Sequence, residues 1–119
     1  MKLIDLTLLY VKYFNEKNLE NIISLFADDS SLKDPGNIFI GSSNIKKELA
    51  HLFSFDNLFL QVKNIIANDE ENFSVIEFSI TVGEARAEGV DIIEWNAGKI
   101  KSLSAYVNDS KERNVHGEM

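Results

Sequence analysis

The sequence contains no cysteine, which removes disulfides, thiolate zinc sites and thiol nucleophiles together and fits a reducing compartment. One proline and six glycines in 119 residues are too few for a low-complexity or disordered chain. Positive charge is scarce: 12 Lys and Arg stand against 19 Asp and Glu, a formal charge of -7. Such a balance repels phosphate backbones and anionic lipid surfaces, so neither nucleic acid nor a membrane is an expected partner. No apolar stretch approaches the ~20 residues of a membrane span. The run from Leu3 to Phe14 is leader-like in hydropathy, but Asp5 and Lys12 interrupt it and no small-residue cleavage site follows. It is read as a helix of the mature domain, and the expected location is cytoplasmic. Without secretion, the triplets Asn72-Phe73-Ser74 and Asn108-Asp109-Ser110 carry no glycosylation meaning.

What is present is an ordinary globular composition, 45% hydrophobic and 26% charged, in a chain long enough for one core and too short for two. One domain over residues 1–108 and a polar tail over 109–119 are expected. Leu3, Leu6, Tyr10, Tyr13 and Phe14 recur at helical spacing and predict a helix over residues 2–15. Asn18 can cap a second helix whose stripe is Leu19, Ile22, Ile23 and Phe26, ended by Ala27-Asp28-Asp29. Ser30 to Asp34 reads as extended, Pro35-Gly36-Asn37 as a turn, and Ile38-Phe39-Ile40 as a short strand ended by Gly41. Ser42 or Ser43 then caps a third helix carrying Ile45, Leu49, Leu52 and Phe53 on one face.

From Leu58 the period changes to two. Residues 58–67, 73–82, 84–95 and 99–107 read as four strands joined by short, antiparallel connections. The expected class is therefore α+β, a curved mixed or antiparallel sheet whose apolar face is covered by three helices.

The third of these strands holds an anomaly. Its alternation places Glu84, Arg86, Glu88 and Glu94 on one face and Ala85, Ala87, Gly89, Asp91, Ile93 and Trp95 on the other. Asp91 thus falls on the apolar face, where a carboxyl must be paired, hydrogen-bonded or held protonated. A register break at Gly89 would instead turn Asp91 outward and Val90 and Ile92 inward. Tyr10 lies on the buried stripe of the first helix, as a core tyrosine or as a pocket hydroxyl. Asp34 precedes proline, which forces it extended at the start of a loop, as a turn residue or as a carboxylate aimed into a cleft. His51 and His116 read as surface histidines, no carboxylate-histidine spacing suggests a metal, and the Glu84-Arg86-Glu88 row reads as a solvated strand face.

Tyr10-Val11, Leu25-Phe26-Ala27-Asp28-Asp29, Asp34-Pro35-Gly36, Gly41, Val90-Asp91-Ile92 and Trp95-Asn96-Ala97-Gly98-Lys99, in that order and spacing, resemble the ketosteroid isomerases of the nuclear transport factor 2-like superfamily. The resemblance covers roughly residues 8–108 and implies the conical, cystatin-like fold of that superfamily. It also implies a cofactor-free isomerase in which Asp34 is the general base and Tyr10 and a protonated Asp91 donate hydrogen bonds to an enolate oxygen. A small apolar molecule is the implied ligand, with Phe14, Phe26, Phe53, Phe78 and Ser104 as expected substrate-binding residues. No cofactor or metal is implied, and a homodimer built through Val75, Val90 and Ile92 of the outer sheet face is the implied association. The chain departs from the steroid enzymes after Asp34, where Asn37-Ile38-Phe39-Ile40 replaces a longer polar segment, and at Phe26 and Leu49, where some members carry tyrosines. The superfamily also holds SnoaL-type cyclases, dehydratases, epoxide hydrolases and non-catalytic binding modules, so a ligand-binding module and a cyclase or hydratase stand as alternatives.

Overall fold

The computed structural model describes residues 1–109. The elements run α1 (Leu3–Asn15), α2 (Leu19–Ile23), β1 (Phe26–Asp34), β2 (Asn37–Ile40), α3 (Ser42–Phe53), β3 (Phe59–Asn68), β4 (Phe73–Val82), β5 (Ala85–Asn96) and β6 (Lys99–Asp109). The six strands form one sheet in the order β2-β1-β6-β5-β4-β3. All neighbours are antiparallel except β1 and β6, which run parallel. The sheet is therefore mixed. Register shifts in the β1/β6, β3/β4 and β5/β6 pairs insert extra residues on one side, and such bulges bend a sheet. The result is a curved, unclosed sheet with α1 packed across β3 and β4 and α3 packed on β1.

The helices differ from their expected bounds in instructive ways. The Asn18 side chain does cap α2, accepting the Asn21 N–H at 3.1 Å, but the helix stops at Ile23 rather than at the Asp pair. The cause is the sheet: the Leu25 carbonyl accepts the Ile100 N–H at 2.7 Å, and Phe26 pairs with Ile100 as the first residue of β1. A tertiary hydrogen bond thus diverts the last predicted turn into a strand. Neither serine caps α3. Gly41 occupies that position at φ 90, a backbone state that favours glycine, and its carbonyl accepts the first helical N–H groups, from Asn44 and Ile45. The four strands predicted after Leu58 hold to within two residues at each end, and β6 extends through Asp109, into the segment expected as tail. The rest of that tail lies outside the described residues.

The core is closed at one end by a polar thread. Trp95 Nε1 donates to Ser74 Oγ at 2.9 Å, Ser74 Oγ lies 2.8 Å from Thr7 Oγ1, and Thr7 donates to the Leu3 carbonyl at 2.6 Å. One hydroxyl proton each serves the two hydroxyls in that order, so the groups satisfy one another without water. At the far end of α1 the Asn15 side-chain amide donates to the Leu60 carbonyl at 2.9 Å and accepts the Leu60 N–H at 2.8 Å. The helix is thereby pinned to β4 through Thr7 near its start and to β3 through Asn15 at its end. No helix among the described residues is long and apolar enough to cross a membrane.

Candidate functional site

The side chains of α1 and α3 do not meet the sheet everywhere. Between them and its inner face lies a cavity of about 150 Å³ whose walls include Tyr10 and Phe14 of α1, Leu49 of α3 and Phe78 of β4. Asp34 and Asp91 line the same space. Tyr10, Asp34 and Asp91, separated by tens of residues in the chain, thus open onto one cavity.

The strand register explains how. On β5, Asp91, Ile93 and Trp95 are buried while Ile92 and Glu94 are exposed. The pairing of β5 with both neighbours runs without a shift through Gly89, so the alternative register that turns Asp91 outward is not the one adopted. Asp91 pairs with Ala105 of β6. Lys33 of β1 pairs with Ser104, and one step further along parallel strands brings Asp34 level with Ala105. The two carboxyls therefore stand in one row on one face, with a single strand and its smallest side chain between them. Two interstrand spacings put their backbones roughly 10 Å apart, leaving the gap over Ala105 open.

Depth comes from Gly89, two residues before Asp91 on the same face. A Cβ there would collide with the Tyr106 carbonyl oxygen and stand 3.0 Å from Phe78 Cζ. Glycine lets the Phe78 ring lie against the strand, and the floor sinks by the thickness of a side chain.

The site's electrostatics are unlike at its two carboxyls. Asp91 is 4% exposed and its carboxyl has no hydrogen-bond partner among the described residues. Burial without a partner disfavours the charged form and raises its pKa from 3.8 to about 7. The Tyr10 hydroxyl is held well above its ordinary value, by burial first and by the neighbouring Asp91 second, so it stays protonated. Asp34 sits at a half-buried strand end, and its Oδ1 is buried without a partner among the described residues. Two proton donors and one partner-free carboxyl oxygen thus face a wall that is otherwise mainly apolar. The Tyr10 ring is set by Phe14 and Phe26, at centroid distances of 6.2 Å and 6.5 Å.

Of the five residues expected to contact substrate, Phe14 and Phe78 line the cavity. Phe26 does not: it lies behind Tyr10, edge-on to its ring. Nor does Phe53, which packs edge-on to Phe14 at 5.6 Å and supports the wall from behind. Ser104 pairs with the exposed Ile92 and so belongs to the outer face, while its neighbour Ala105 occupies the inner position. His51 is exposed against Phe55, and His116 lies outside the described residues. Arg86 and Glu88 fall on the outer face, where Glu88 pairs with Lys63 at 2.8 Å and Arg86 donates to Ser79 at 3.3 Å, while Glu84 sits in the turn between β4 and β5 rather than on the strand. Sequence reasoning missed Glu48, which lines the cavity from α3. Its position three residues after Ile45 and four before Leu52 placed it beside the apolar stripe, a legible signal. No cluster of three or more His, Cys, Asp or Glu side chains among the described residues is grouped to hold a metal ion.

The sequence pattern of the SnoaL-like domain matches residues 8–103. No curated protein matches the chain. Among solved structures, an NTF2-like protein of unknown function from Cytophaga hutchinsonii superposes with a TM-score of 0.81 at 15% identity, covering 91% of each chain. A protein from Kribbella flavida, provisionally called a ketosteroid isomerase, gives 0.81 at 18% identity over 93% of this chain and 81% of its own. One from Xanthomonas campestris, provisionally called a polyketide cyclase, gives 0.78 at 18% identity over 88% and 89%. At these identities the likeness is one of fold.

Proposed function

The chain belongs to the SnoaL-like domain family, and on that premise we propose that it catalyses cofactor-free proton transfer through an enolate on a small apolar carbonyl compound. The observation that supports this most is the meeting of Tyr10, Asp34 and a desolvated Asp91 on one mainly apolar cavity. Enolate chemistry needs a base that starts ionised and donors that start protonated, and a site supplies both only where its acids have unlike surroundings. Asp34 takes a proton from the carbon next to the carbonyl. The electron pair moves onto oxygen, which lies over Ala105 toward Asp91 and Tyr10 and accepts a hydrogen bond from each. Asp34 then returns the proton two carbons along, and the double bond ends in conjugation.

Size narrows the substrate. A cavity of about 150 Å³ is below the ~300 Å³ at which pockets for drug-sized ligands begin, so the substrate is smaller than a steroid. A SnoaL-type cyclase would use the same base and donors on a longer chain folded back on itself, for which this volume is tight.

The test is turnover of a small β,γ-unsaturated ketone, followed by ultraviolet absorbance of the conjugated product. Asp34→Asn keeps the shape but cannot accept the proton, and should abolish turnover. Tyr10→Phe and Asp91→Ala should each slow it by roughly 10²-fold, the loss of one oxyanion donor. Ligand uptake with no turnover by wild type would make the chain a binding module and end the enzymatic reading.

A further inference from the structure

Three carboxyls line the cavity, from Asp34, Glu48 and Asp91, and no Lys, Arg or His of the described residues joins them. Lys33 and Lys47, the lysines next in sequence to two of these acids, line separate surface hollows beside Asp34 and Glu48 and do not reach the cavity itself. Glu48 is half-buried and has no ion pair or hydrogen bond among the described residues, so nothing there neutralises it. Glu48 lines both the cavity and a neighbouring surface hollow walled by Phe39 and Lys47, which places it on the rim between the two. Asp91 inside is nine-tenths buried, without a partner, and lines the same space, so the acidic rim guards a built polar recess.

Resting on the reading of this cavity as a ligand site, we propose that Glu48 is its selectivity residue, admitting uncharged or cationic small molecules and rejecting anions such as carboxylates and phosphate esters. A ligand anion would enter past the Glu48 charge and sit beside Asp34, with no cation to offset either, in surroundings of low polarity where charge interactions are strong. It would also be stripped of water with nothing offered in exchange. A neutral carbonyl or phenol meets neither cost, because it needs only the two donors at the floor. An ammonium meets attraction instead. The discrimination between neutral and anionic ligands is thus a penalty against the wrong charge.

The test uses the full chain and three probes of one skeleton: para-cresol, para-hydroxybenzoate and para-hydroxybenzylamine. Binding of each is measured by titration calorimetry at low salt. The phenol should bind at least about tenfold more tightly than the benzoate, with the amine no weaker than the phenol. Glu48→Gln should shrink the phenol-to-benzoate ratio by about threefold or more, and Glu48→Lys should shrink it further, while circular dichroism confirms that both variants are folded. Raising the salt should shrink the wild-type ratio as well, since the rim is partly open to solvent. Equal exclusion of benzoate and amine would make the effect one of size and desolvation, and would overturn the proposal. So would an unchanged ratio in both Glu48 variants, or failure of all three probes to bind. Turnover is not read here: a chain that sorts ligands by charge but converts no ketone keeps this inference and loses the isomerase, and an active chain blind to charge does the reverse.

Discussion

Asp34 and Asp91 stand in one row of the sheet's inner face, with only Ala105 between them. The relationship fixes which end of a ligand each can reach. A carbonyl compound lying over Ala105 presents its oxygen to one carboxyl and its acidic carbon to the other, so a side chain larger than alanine in the middle strand would close the path. The two acids also differ in surroundings. Asp91 is sealed under α1 and Asp34 ends its strand at a turn, and the predictions below follow from that difference.

Asp91 makes the fold less stable as pH rises. In the unfolded chain it loses its proton near 3.8, whereas in the fold it keeps it to about 7. Its contribution is full below the unfolded value, declines between the two, and is absent above about 7, because there the native state binds no more protons than the unfolded one. Asp91→Asn cannot ionise and removes this dependence. Urea denaturation at a series of pH values should therefore show the variant gaining on wild type between pH 4 and pH 7, by up to roughly 4 kcal/mol, and levelling above.

The same proton governs ligand uptake. A phenol binds best when Asp91 is a donor, so affinity should be flat in acid and fall as pH passes about 7, approaching about tenfold per unit beyond it. Calorimetric titration with para-cresol in wild type and in Asp91→Asn checks this, since the amide donates at every pH and its affinity should stay level through neutrality.

Gly89→Ala should both destabilise the fold and block the cavity. The added methyl meets the Tyr106 backbone and the Phe78 ring, and the backbone cannot give way without disturbing the β5/β6 ladder. A loss of about 1–3 kcal/mol is expected, read as a fall in melting temperature of several degrees, together with weaker phenol binding as Phe78 is pushed inward.

On the outer face, Ile38, Ile92 and Ile66 are exposed, and the cross-strand row Ile92-Val75-Ile66 continues beside Val90 and Tyr106. We expect two copies to pair through this face. Sedimentation at micromolar concentration should give a dimer, and Ile92→Lys should give a monomer with its melting behaviour otherwise close to wild type. A wild-type monomer would refute the pairing.

How far the sequence reveals this arrangement depends on the range of the interactions involved. The strands from Phe59 onward, the inward face of Asp91 and the turn at Pro35 are legible because alternation and turn chemistry are local. The end of α2 is not, because the hydrogen bond from Ile100 that takes Leu25 into the sheet spans most of the chain. Ser104 fails for a related reason: periodicity says that neighbours on a strand face opposite ways, but only the pairing with Ile92 says which faces out. Phe26 and Phe53 lie on apolar stripes that a sequence can turn inward, yet a sequence cannot separate the layer that touches a cavity from the layer behind it. Glu48 was passed over because a charged residue beside an apolar stripe ordinarily points to solvent.

The Asn15 amide has a consequence beyond holding α1 in place. β3 is an outermost strand of the sheet, and the bare peptide groups of such a strand are an invitation to a neighbouring chain. By filling both backbone positions of Leu60, the second residue of β3, Asn15 acts as a one-residue false strand and interrupts the template at its start. The opposite edge, β2, is only four residues long and offers little to pair with. The start of β3 is thus closed to a neighbouring chain, and Asn15→Ala should show its effect as faster fibril or aggregate formation at high concentration.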